Sequence, residues 1–457
     1  MKTSYKILLF VAIIIVCIPL AIPFFYNQQF TKIADKSTNE LKQNGIIIKN
    51  EKINDSYFKI NREYTLLLKD ASVLLQKSKL NLNPQEIAEQ KKILDNTEVL
   101  VSIDLIKYPV EQDEVVKASL KNLSPYLGSS IKESKMGYQL LKFIEDKGLM
   151  LIASISSFDI KTIRLKDIDL NLYDEKNTFN GKIINLNAEK KTDKKIDVNL
   201  DELSIKINEK SANVKILFTE IKYLIEEIND LNLKNKFSVG FIEVLTSNNK
   251  ASRDNQKFAL NDLNYIINVD TIEKKINSDV AINIKTMQFI DNSTRKPQLF
   301  KMDSVVLNTA MKGLDEKALT ELSEIRKTRN PNMMDLKKGL QTILNKGFSF
   351  NIDTLKFEAF EMKTKPFSCN LDTVTFKSNL NFKNNTLNLD STPPMAILKY
   401  VNADAHLNTK KTNLDYFLTF FNLGNAFDKY INVKKGNASI DAELKDSVVT
   451  VNKQRVF

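Results

Sequence analysis

The sequence predicts a mainly β fold with helical covers (α+β), in which an N-terminal transmembrane helix is followed by an extended, curved antiparallel β-sheet body. Three observations lead to this prediction. One uncharged apolar segment lies near the N-terminus, a repeated apolar pattern runs through the rest of the chain, and a few segments with helical spacing interrupt that pattern.

Composition indicates a folded chain and argues against nucleic-acid binding. The 457 residues are 42% hydrophobic and 27% charged, values close to those of ordinary globular proteins. The net charge of +11 arises from 67 basic residues interspersed with 56 acidic ones. No basic stripe with interleaved aromatic residues is present, so we expect a solvated surface and no nucleic-acid partner.

The apolar segment from Ile7 to Phe25 predicts a membrane anchor, because it carries no charge and no strongly polar side chain. As a helix rising about 1.5 Å per residue, it nearly matches the ~30 Å hydrocarbon layer of a bilayer. Lys2 and Lys6 precede it, and the positive-inside rule then places the N-terminus in the cytoplasm and the body across the membrane. We expect a single-pass protein of the bacterial inner membrane with a periplasmic body.

Two cleaved alternatives fit this segment less well. A signal peptide needs small residues at its cleavage site, whereas bulky aromatics from Phe24 to Tyr26 end this segment. A lipoprotein signal would use Cys17, but Val16 occupies the position before it, where a small residue is expected. Retention as an uncleaved anchor is therefore favoured.

The pattern of apolar and polar residues divides the chain into four parts. Residues 1–26 form the cytoplasmic tip and the anchor, and 27–45 read as a polar helical stalk. Residues 46–157 predict a mixed α/β part, in which Val115, Val116, Leu120 and Leu123 have the spacing of one helix face. Residues 158–457 predict an elongated β-rich body with helical insertions near 315–346 and 414–427.

An apolar pattern recurs seven times in this body. It reads φ-x-φ-x-x-φ-x-φ, where φ is apolar and the central pair is mostly polar. The seven units comprise Ile163, Leu165, Ile168, Leu170; Val198, Leu200, Leu203, Ile205; Phe258, Leu260, Leu263, Tyr265; Ile282, Ile284, Met287, Phe289; Phe300, Met302, Val305, Leu307; Phe350, Ile352, Leu355, Phe357; and Cys369, Leu371, Val374, Phe376.

The three-residue step in each unit has a structural consequence. Side chains alternate between the faces of a strand, so an ordinary strand would send the two halves of a unit to opposite faces. A β-bulge at the polar pair absorbs one residue and keeps all four apolar side chains on one face; two short strands joined at the step are the alternative. We expect a one-sided apolar sheet whose face includes the units beginning at Ile163, Phe258 and Phe350.

Helical spacing marks three later segments. Asp315 is a candidate cap for a helix from Glu316 to Ile325, and Asn332 for one that ends at Gly347. Residues 414–427 are apolar nearly all round, so this helix is either buried or in contact with lipid. Phe417, Phe420 and Phe421 are its candidate lipid-facing or buried side chains.

Catalytic and metal-binding motifs are absent from the sequence. His406 is the single histidine, which removes multi-histidine metal sites and leaves at most one candidate for a nucleophilic triad. Cys17 lies within the apolar segment and Cys369 in the body, so a disulfide between them is not expected. We predict no catalytic residues, no cofactor and no metal.

Several stretches resemble the YdgA-like bacterial envelope proteins, a family built on a bacterial domain of unknown function. Residues Val305 to Leu319, VVLNTAMKGLDEKAL, are similar to that family's strand followed by G-L-D-x-x-A-L. Phe348 to Phe357, Ile397 to Leu407 and Gly436 to Asn452 follow in the same order, although Lys453 stands where the family tends to have glycine. The resemblance implies an inner-membrane anchor and a β-rich periplasmic body without assigned catalytic residues. The architecture is remotely similar to AsmA-like proteins, which are associated with lipid movement or outer-membrane assembly.

Three functions remain open at this point. The first is a non-enzymatic envelope protein that binds lipid or another apolar ligand along its apolar face. The second is a structural or assembly module that pairs with an envelope partner, or with itself as a homo-oligomer, through β edges. The third is a carboxylate-based hydrolase, for which the sequence offers no specific pair of residues.

Overall fold

The computed structural model describes residues 45–456 except for some short stretches. The omitted stretches are 55–58, 78–82, 107–113, 133, 147, 157–158, 211, 230–231, 249–254, 294–297, 328–331, 365–366, 390–392 and 421–428. Strands make up 64% of what is described, so the fold is mainly β, as predicted. The strands pair antiparallel, and the helices are few.

The chain divides into two compact units, residues 1–220 and 221–457. The first contains four described helices: α1 (Ala71–Lys77), α2 (Pro84–Leu94), α3 (Pro125–Lys132) and α4 (Lys135–Glu145). Its described strands are β1 (Ile46–Ile53), β2 (Lys59–Leu68), β3 (Thr97–Ile106), β4 (Glu114–Asn122), β5 (Met150–Ser156), β6 (Asp159–Leu165), β7 (Ile168–Tyr173), β8 (Thr178–Ile184), β9 (Asn187–Thr192) and β10 (Lys195–Asn208). Strand β11 (Ala212–Asn229) contains the boundary.

In the first unit, β1 to β6 pair successively, each strand with the next. Beyond them, β6 pairs with β9, β7 pairs with β8, and β10 pairs with both β8 and β9. One prediction was wrong here. The segment with Val115, Val116, Leu120 and Leu123 forms strand β4 and its exit, because cross-strand pairing on both sides outweighs the helical spacing of its valines.

Helix α4 closes the main core of this unit. Ser134 caps it by accepting a hydrogen bond from the Gly137 backbone N–H, and Met136, Leu140 and Ile144 recur every four residues on the face that packs inward. That face meets the buried alternate residues of β7 and β8, among them Leu172 and Phe179, each 1% exposed. The sheet face of the first unit is therefore filled.

The second unit holds the longer strands: β12 (Asn232–Asn248), β13 (Asn255–Ile272), β14 (Lys275–Asp291) and β15 (Gln298–Asp315). Shorter ones follow: β16 (Phe348–Phe357), β17 (Ala359–Thr364), β18 (Phe367–Leu371), β19 (Val374–Phe382), β20 (Val401–Lys410), β21 (Asn432–Lys434), β22 (Asn437–Lys445), β23 (Val448–Val451) and β24 (Gln454–Arg455). Its described helices are α5 (Glu316–Lys327), α6 (Met333–Lys346), α7 (Lys411–Phe420) and a 3-10 helix (Pro394–Tyr400).

Pairing in this unit branches at β15. Strands β12 to β15 pair successively, and β15 then pairs with β17 along its first half and with β16 along its second. From β16 the order continues through β19, β20, β22, β23 and β24. Strand β18 pairs with β17, and β21 with β22.

The helix caps predicted for α5 and α6 are confirmed. The Asp315 carboxylate accepts a hydrogen bond from the Ala318 backbone N–H, and the Asn332 side chain accepts one from Met334. Gly347, with φ of 71°, follows the last residue of α6. The two helices pack on Met311 and Leu314 of β15 with a small buried cluster that includes Ala318 and Ile343. Helices α5 and α6 thus cover one end of the sheet.

Within the described part of the chain, no helix combines the length and apolarity needed to cross a bilayer. The predicted anchor from Ile7 to Phe25 and the predicted stalk lie outside that part.

The filled core of the first unit gives a first test. Replacing Phe179 with alanine removes a ring that is 1% exposed, and we expect a loss of about 3–5 kcal/mol in the free energy of unfolding. The matched control is Tyr126→Ala, whose ring is 57% exposed on α3 and should cost less than about 0.5 kcal/mol. The chain has no tryptophan, so urea unfolding should be followed by far-UV circular dichroism. Equal losses at both positions would contradict this core assignment.

Candidate functional site

Strand β16 contains the extra residue that the repeated pattern predicts. Ile352 lies opposite Thr309 of β15 and Leu355 lies opposite Leu307, so residues three apart on β16 pair with residues two apart on β15. The pairing of β16 with β19 shifts at the same place. The polar pair between them, Asp353 and Thr354, is therefore a bulge, and Ile352 and Leu355 lie on the same face.

Aromatic contacts show that apolar residues on both sides of the three-residue step in β15 also lie on one face. Phe300 lies 5.1 Å from Phe360 of β17, and Phe360 lies 6.1 Å from Phe357 of β16, measured between ring centroids. Phe357 shares the face of Leu355, which is opposite Leu307. Since the three rings form one chain of contacts, Phe300 and Leu307 lie on one side of the sheet, although they are seven positions apart and regular alternation would place them on opposite sides.

The step is aligned across four neighbouring strands. Gly240, Asp262, Lys285 and Ser304 interrupt the pairing of β12 to β15, and the register is unchanged on either side of them. Asp262 has φ of 50° and Ser304 has φ of 51°, values that are unfavourable for residues with a Cβ. Because the extra residues face one another, no strand slips against its neighbour.

The result is a set of apolar rows that cross the strands. Four rows run from β12 through β15, and we call their members the apolar rows. They are Val244, Phe258, Phe289, Phe300; Ile242, Leu260, Met287, Met302; Val239, Leu263, Ile284, Val305; and Phe237, Tyr265, Ile282, Leu307. Three of the seven predicted units, those beginning at Phe258, Ile282 and Phe300, lie wholly within these rows.

Most of these side chains are only half-buried. Val239 and Leu260 are 2% and 7% exposed, whereas Phe289 is 36% exposed and the others are intermediate. The described helices of this unit pack elsewhere: α5 and α6 at the Leu314 end of β15, and α7 against β18, β20 and β22. Between these covers, the apolar rows form a face that the described helices leave open.

Helix α7 covers the continuation of two rows on β18. Met362 and Phe360 of β17 lead from the rows to Cys369 and Leu371, which are 4% and 2% exposed. Tyr416 of α7 contacts the Cys369 thiol, and burial raises the pKa of that thiol. The apolar side of the sheet is thus covered by α7 at β18, whereas at β12 to β15 the described helices leave it uncovered.

The opposite face of the same strands is mixed, with charged and hydrogen-bonding side chains next to apolar ones such as Phe241 and Ile290. The Asn261 side chain donates a hydrogen bond to Thr286 of the neighbouring strand, and Lys257 lies 3.4 Å from the Glu243 carboxylate. Lys301 donates to Asp303 over 2.8 Å, and this carboxylate raises the pKa of Lys301. The ionisable groups named here lie on the face away from the apolar rows. Within the rows, Tyr265 has the one hydroxyl.

The remaining predicted units are placed differently. The unit from Ile163 to Leu170 is split between β6 and β7, and its four apolar residues are 4–6% exposed in the filled first unit. The unit from Cys369 to Phe376 is likewise split between β18 and β19. Both structures considered for the step therefore occur: a continuous strand with an extra residue, and two strands that meet at the polar pair.

The predicted helix of residues 414–427 is described as far as Phe420, within α7. Leu414 is 4% exposed, so the start of this helix is buried. Phe417 and Phe420 lie on α7, and the surroundings of their side chains are outside the described part. Phe421 follows the last described residue of the helix.

Two further units were missed by the sequence analysis. Phe237, Val239, Ile242 and Val244 of β12 belong to the apolar rows, but Gly240 and Phe241 occupy the central pair where polar residues were expected. Ile216, Phe218, Ile221 and Tyr223 of β11 have the same spacing around Thr219 and Glu220, and Glu220 has φ of 54°. In β12 the signal was the apolar spacing alone, whereas in β11 both the apolar spacing and the polar pair were present.

No catalytic group is assembled at the apolar rows. His406 pairs with Asp441 on the neighbouring strand, and both side chains are well exposed. Leu407 continues an apolar row, so His406 lies on the opposite face. Among the residues that the structure describes, no three His, Cys, Asp or Glu side chains are grouped as a metal site requires.

Comparison with known proteins adds no identification. No protein-family model, no curated protein and no solved structure matches this chain. The fold and the open apolar rows define a mainly β protein with an amphipathic antiparallel sheet.

The left-handed backbone at Asp262 can be tested by substitutions of opposite effect. We expect Asp262→Gly to keep or raise the free energy of unfolding by up to about 1 kcal/mol, because glycine adopts positive φ without strain. We expect Asp262→Val to lower it by about 1–2 kcal/mol, because a β-branched residue is strained there.

The matched control is Asp279, an exposed aspartate within regular strand β14. There the order should reverse: Asp279→Gly should cost about 0.5–1 kcal/mol, and Asp279→Val should be close to neutral. Urea unfolding of the four variants measures both effects. The same order at both positions would rule out the strained step.

Proposed function

We propose that this chain is a non-enzymatic binding protein of the bacterial cell envelope, whose open apolar rows bind lipid or another apolar chain. The observation that carries the proposal is the half-exposed apolar face of β12 to β15, which the described helices leave open. Water contact with such a face is unfavourable, so an apolar ligand that covered it would gain free energy.

The size of the face supports a binding role. Four strands spaced by about 4.8 Å and units of eight residues rising about 3.3 Å each give roughly 500 Å². Contiguous apolar patches of more than a few hundred Å² on soluble surfaces usually mark interaction sites. The footprint of the apolar rows on the sheet is of that size.

The chemistry of the face favours an acyl chain over a polar ligand. Tyr265 has the one hydroxyl among the apolar rows, and Lys257, Glu243 and Lys301 beside the rows lie on the other face. A polar ligand would lose its hydrogen bonds to water without gaining partners here. A hydrocarbon chain would lose nothing, and the flexible thioethers of Met287 and Met302 suit a ligand of variable shape.

The shape of the sheet is part of the proposal. Extra residues bend and twist a strand, and here they are aligned across β12 to β15. We propose that the body is extended and curved, with the apolar rows on its concave side.

The cellular setting is also proposed. The apolar segment from Ile7 to Phe25 would anchor the chain in the inner membrane with its body in the periplasm, as in the YdgA-like proteins that the sequence resembles. Lipid would then be the most abundant apolar ligand near the sheet. An envelope protein partner or a second copy of the chain is a further proposed contact.

Site-specific photo-crosslinking of the full chain in bacterial membranes tests the binding face. A benzophenone amino acid in place of Met287 should form adducts with lipid, because that side chain lies in the apolar rows. The same amino acid in place of Gln288, one residue along the same strand, points to the opposite face and should form at least about tenfold fewer adducts. Adducts would be purified and identified by mass spectrometry of the attached lipid.

Other outcomes would contradict the proposal. Equal lipid labelling at both positions would mean that the rows have no special affinity. If position 287 formed adducts with protein and none with lipid, the ligand of the apolar rows would be a protein and not a lipid. As a further control, Ile284→Asp should reduce labelling at Met287, because a charge within the rows raises the cost of covering them, whereas Asn283→Asp on the other face should not.

A further inference from the structure

Helix α6 carries an unusual concentration of exposed apolar side chains. Met333 is 76% exposed, Met334 is 64% exposed and Leu340 is 50% exposed. Met333 is the most exposed of the large hydrophobic side chains in the described part of the chain. These residues lie outside the apolar rows, so the proposed ligand does not account for them.

The two sides of α6 have different environments. Gly339 and Ile343 are buried, and Ile343 belongs to the cluster that packs on Leu314 of the sheet. At 100° per residue, Met333 and Leu340 fall within about 20° of each other, and Leu340 lies about 60° from the buried Ile343. The exposed residues therefore begin beside the buried side of α6 and continue around the helix through Met334. Helix α6 is therefore held to the sheet by one side and presents apolar side chains on another.

Lysines accompany the exposed apolar residues. Lys337 falls about 40° from Met333 around the helix, and Lys338 about 40° from Met334. Both lysines are exposed, and Asp335 is the one acidic residue of α6. Exposed apolar side chains bordered by cations are typical of helices that lie at the surface of an anionic bilayer, because the apolar groups enter the interface while the cations meet phosphates.

We propose that the exposed side of α6, comprising Met333, Met334, Leu340, Lys337 and Lys338, binds the surface of an anionic phospholipid bilayer. The occupant is an anionic bilayer because lysines on long, flexible stems border the exposed apolar side chains and are complementary to lipid phosphates. This inference goes beyond the proposed function, since it would hold even if the apolar rows bound nothing.

The proposal has a consequence for the apolar rows. Helices α5 and α6 cover the Leu314 end of the same sheet face. A bilayer bound to α6 would therefore lie next to that end of the face. The chain would contact a membrane surface through its second unit, in addition to the predicted anchor.

Capture of vesicles by the full chain tests this contact. The protein is placed by its anchor in neutral phosphatidylcholine nanodiscs, and fluorescent vesicles containing roughly 30% phosphatidylglycerol are added. We expect the nanodiscs to bind these vesicles and to bind pure phosphatidylcholine vesicles at least about tenfold less. Raising the salt concentration should weaken capture, since salt screens the lysines.

Two sets of substitutions separate the apolar and ionic contributions. The triple variant Met333→Ser, Met334→Ser, Leu340→Ser retains both lysines and should reduce capture about tenfold or more. The double variant Lys337→Gln, Lys338→Gln retains the apolar side chains and should reduce both capture and its salt dependence. The control is Ile272→Ser, which removes another apolar residue that is 59% exposed in the same unit and should leave capture unchanged.

The outcomes decide the proposal independently of the photo-crosslinking experiment. Unchanged capture by the triple serine variant, or equal capture of neutral and anionic vesicles, would overturn it. Dimerisation of the chain that the serine variant abolishes, without vesicle capture by the parent chain, would assign this surface to a second copy instead. Because the substituted residues are exposed, circular dichroism should show that every variant remains folded.

Discussion

The second unit depends on the way its strands keep apolar side chains on one side. An ordinary strand alternates its faces at every residue, so the two apolar pairs of each unit would face opposite ways. Here an additional residue at the centre restores the face, at the cost of a left-handed backbone at Asp262 and Ser304. The energy of this strain is recovered by grouping the apolar side chains of neighbouring strands into rows.

Alignment of these residues is what lets long strands pair throughout their length. An extra residue in one strand alone shifts the register, as it does at Asp353 in β16. From β12 to β15 each strand has its extra residue at the same level, and the register does not change across the step; the pairing of β14 with β15 shifts only further along, between Ile276 and Ser278. In β15 the step also marks the place where the partner strand changes from β17 to β16. The extra residue in each strand thus keeps the apolar side chains on one face, and in β15 it also marks where the partner strand changes.

The two units use the same pattern with different results. In the first unit, α4 covers the sheet, and residues such as Leu170 and Phe179 are buried in a filled core. In the second unit, the helices pack at the Leu314 end and over β18, and the apolar rows between them are left half-exposed. The proposed binding role rests on the second arrangement and not on the first. The exposed side of α6 extends apolar surface beyond the sheet itself.

The sequence by itself determined the β class, the caps of α5 and α6 and the grouping of apolar residues on one face, because these depend on local spacing and local hydrogen bonds. The helical spacing of the Val115 segment predicted a helix, but the segment is strand β4, since pairing with β3 and β5 outweighs the spacing of its valines. The unit at Phe237, where Gly240 and Phe241 replace the polar pair, was missed. Only the tertiary structure decided which units are covered: whether Phe289 is exposed or Leu170 buried depends on where distant helices pack, and no pattern within either strand encodes that.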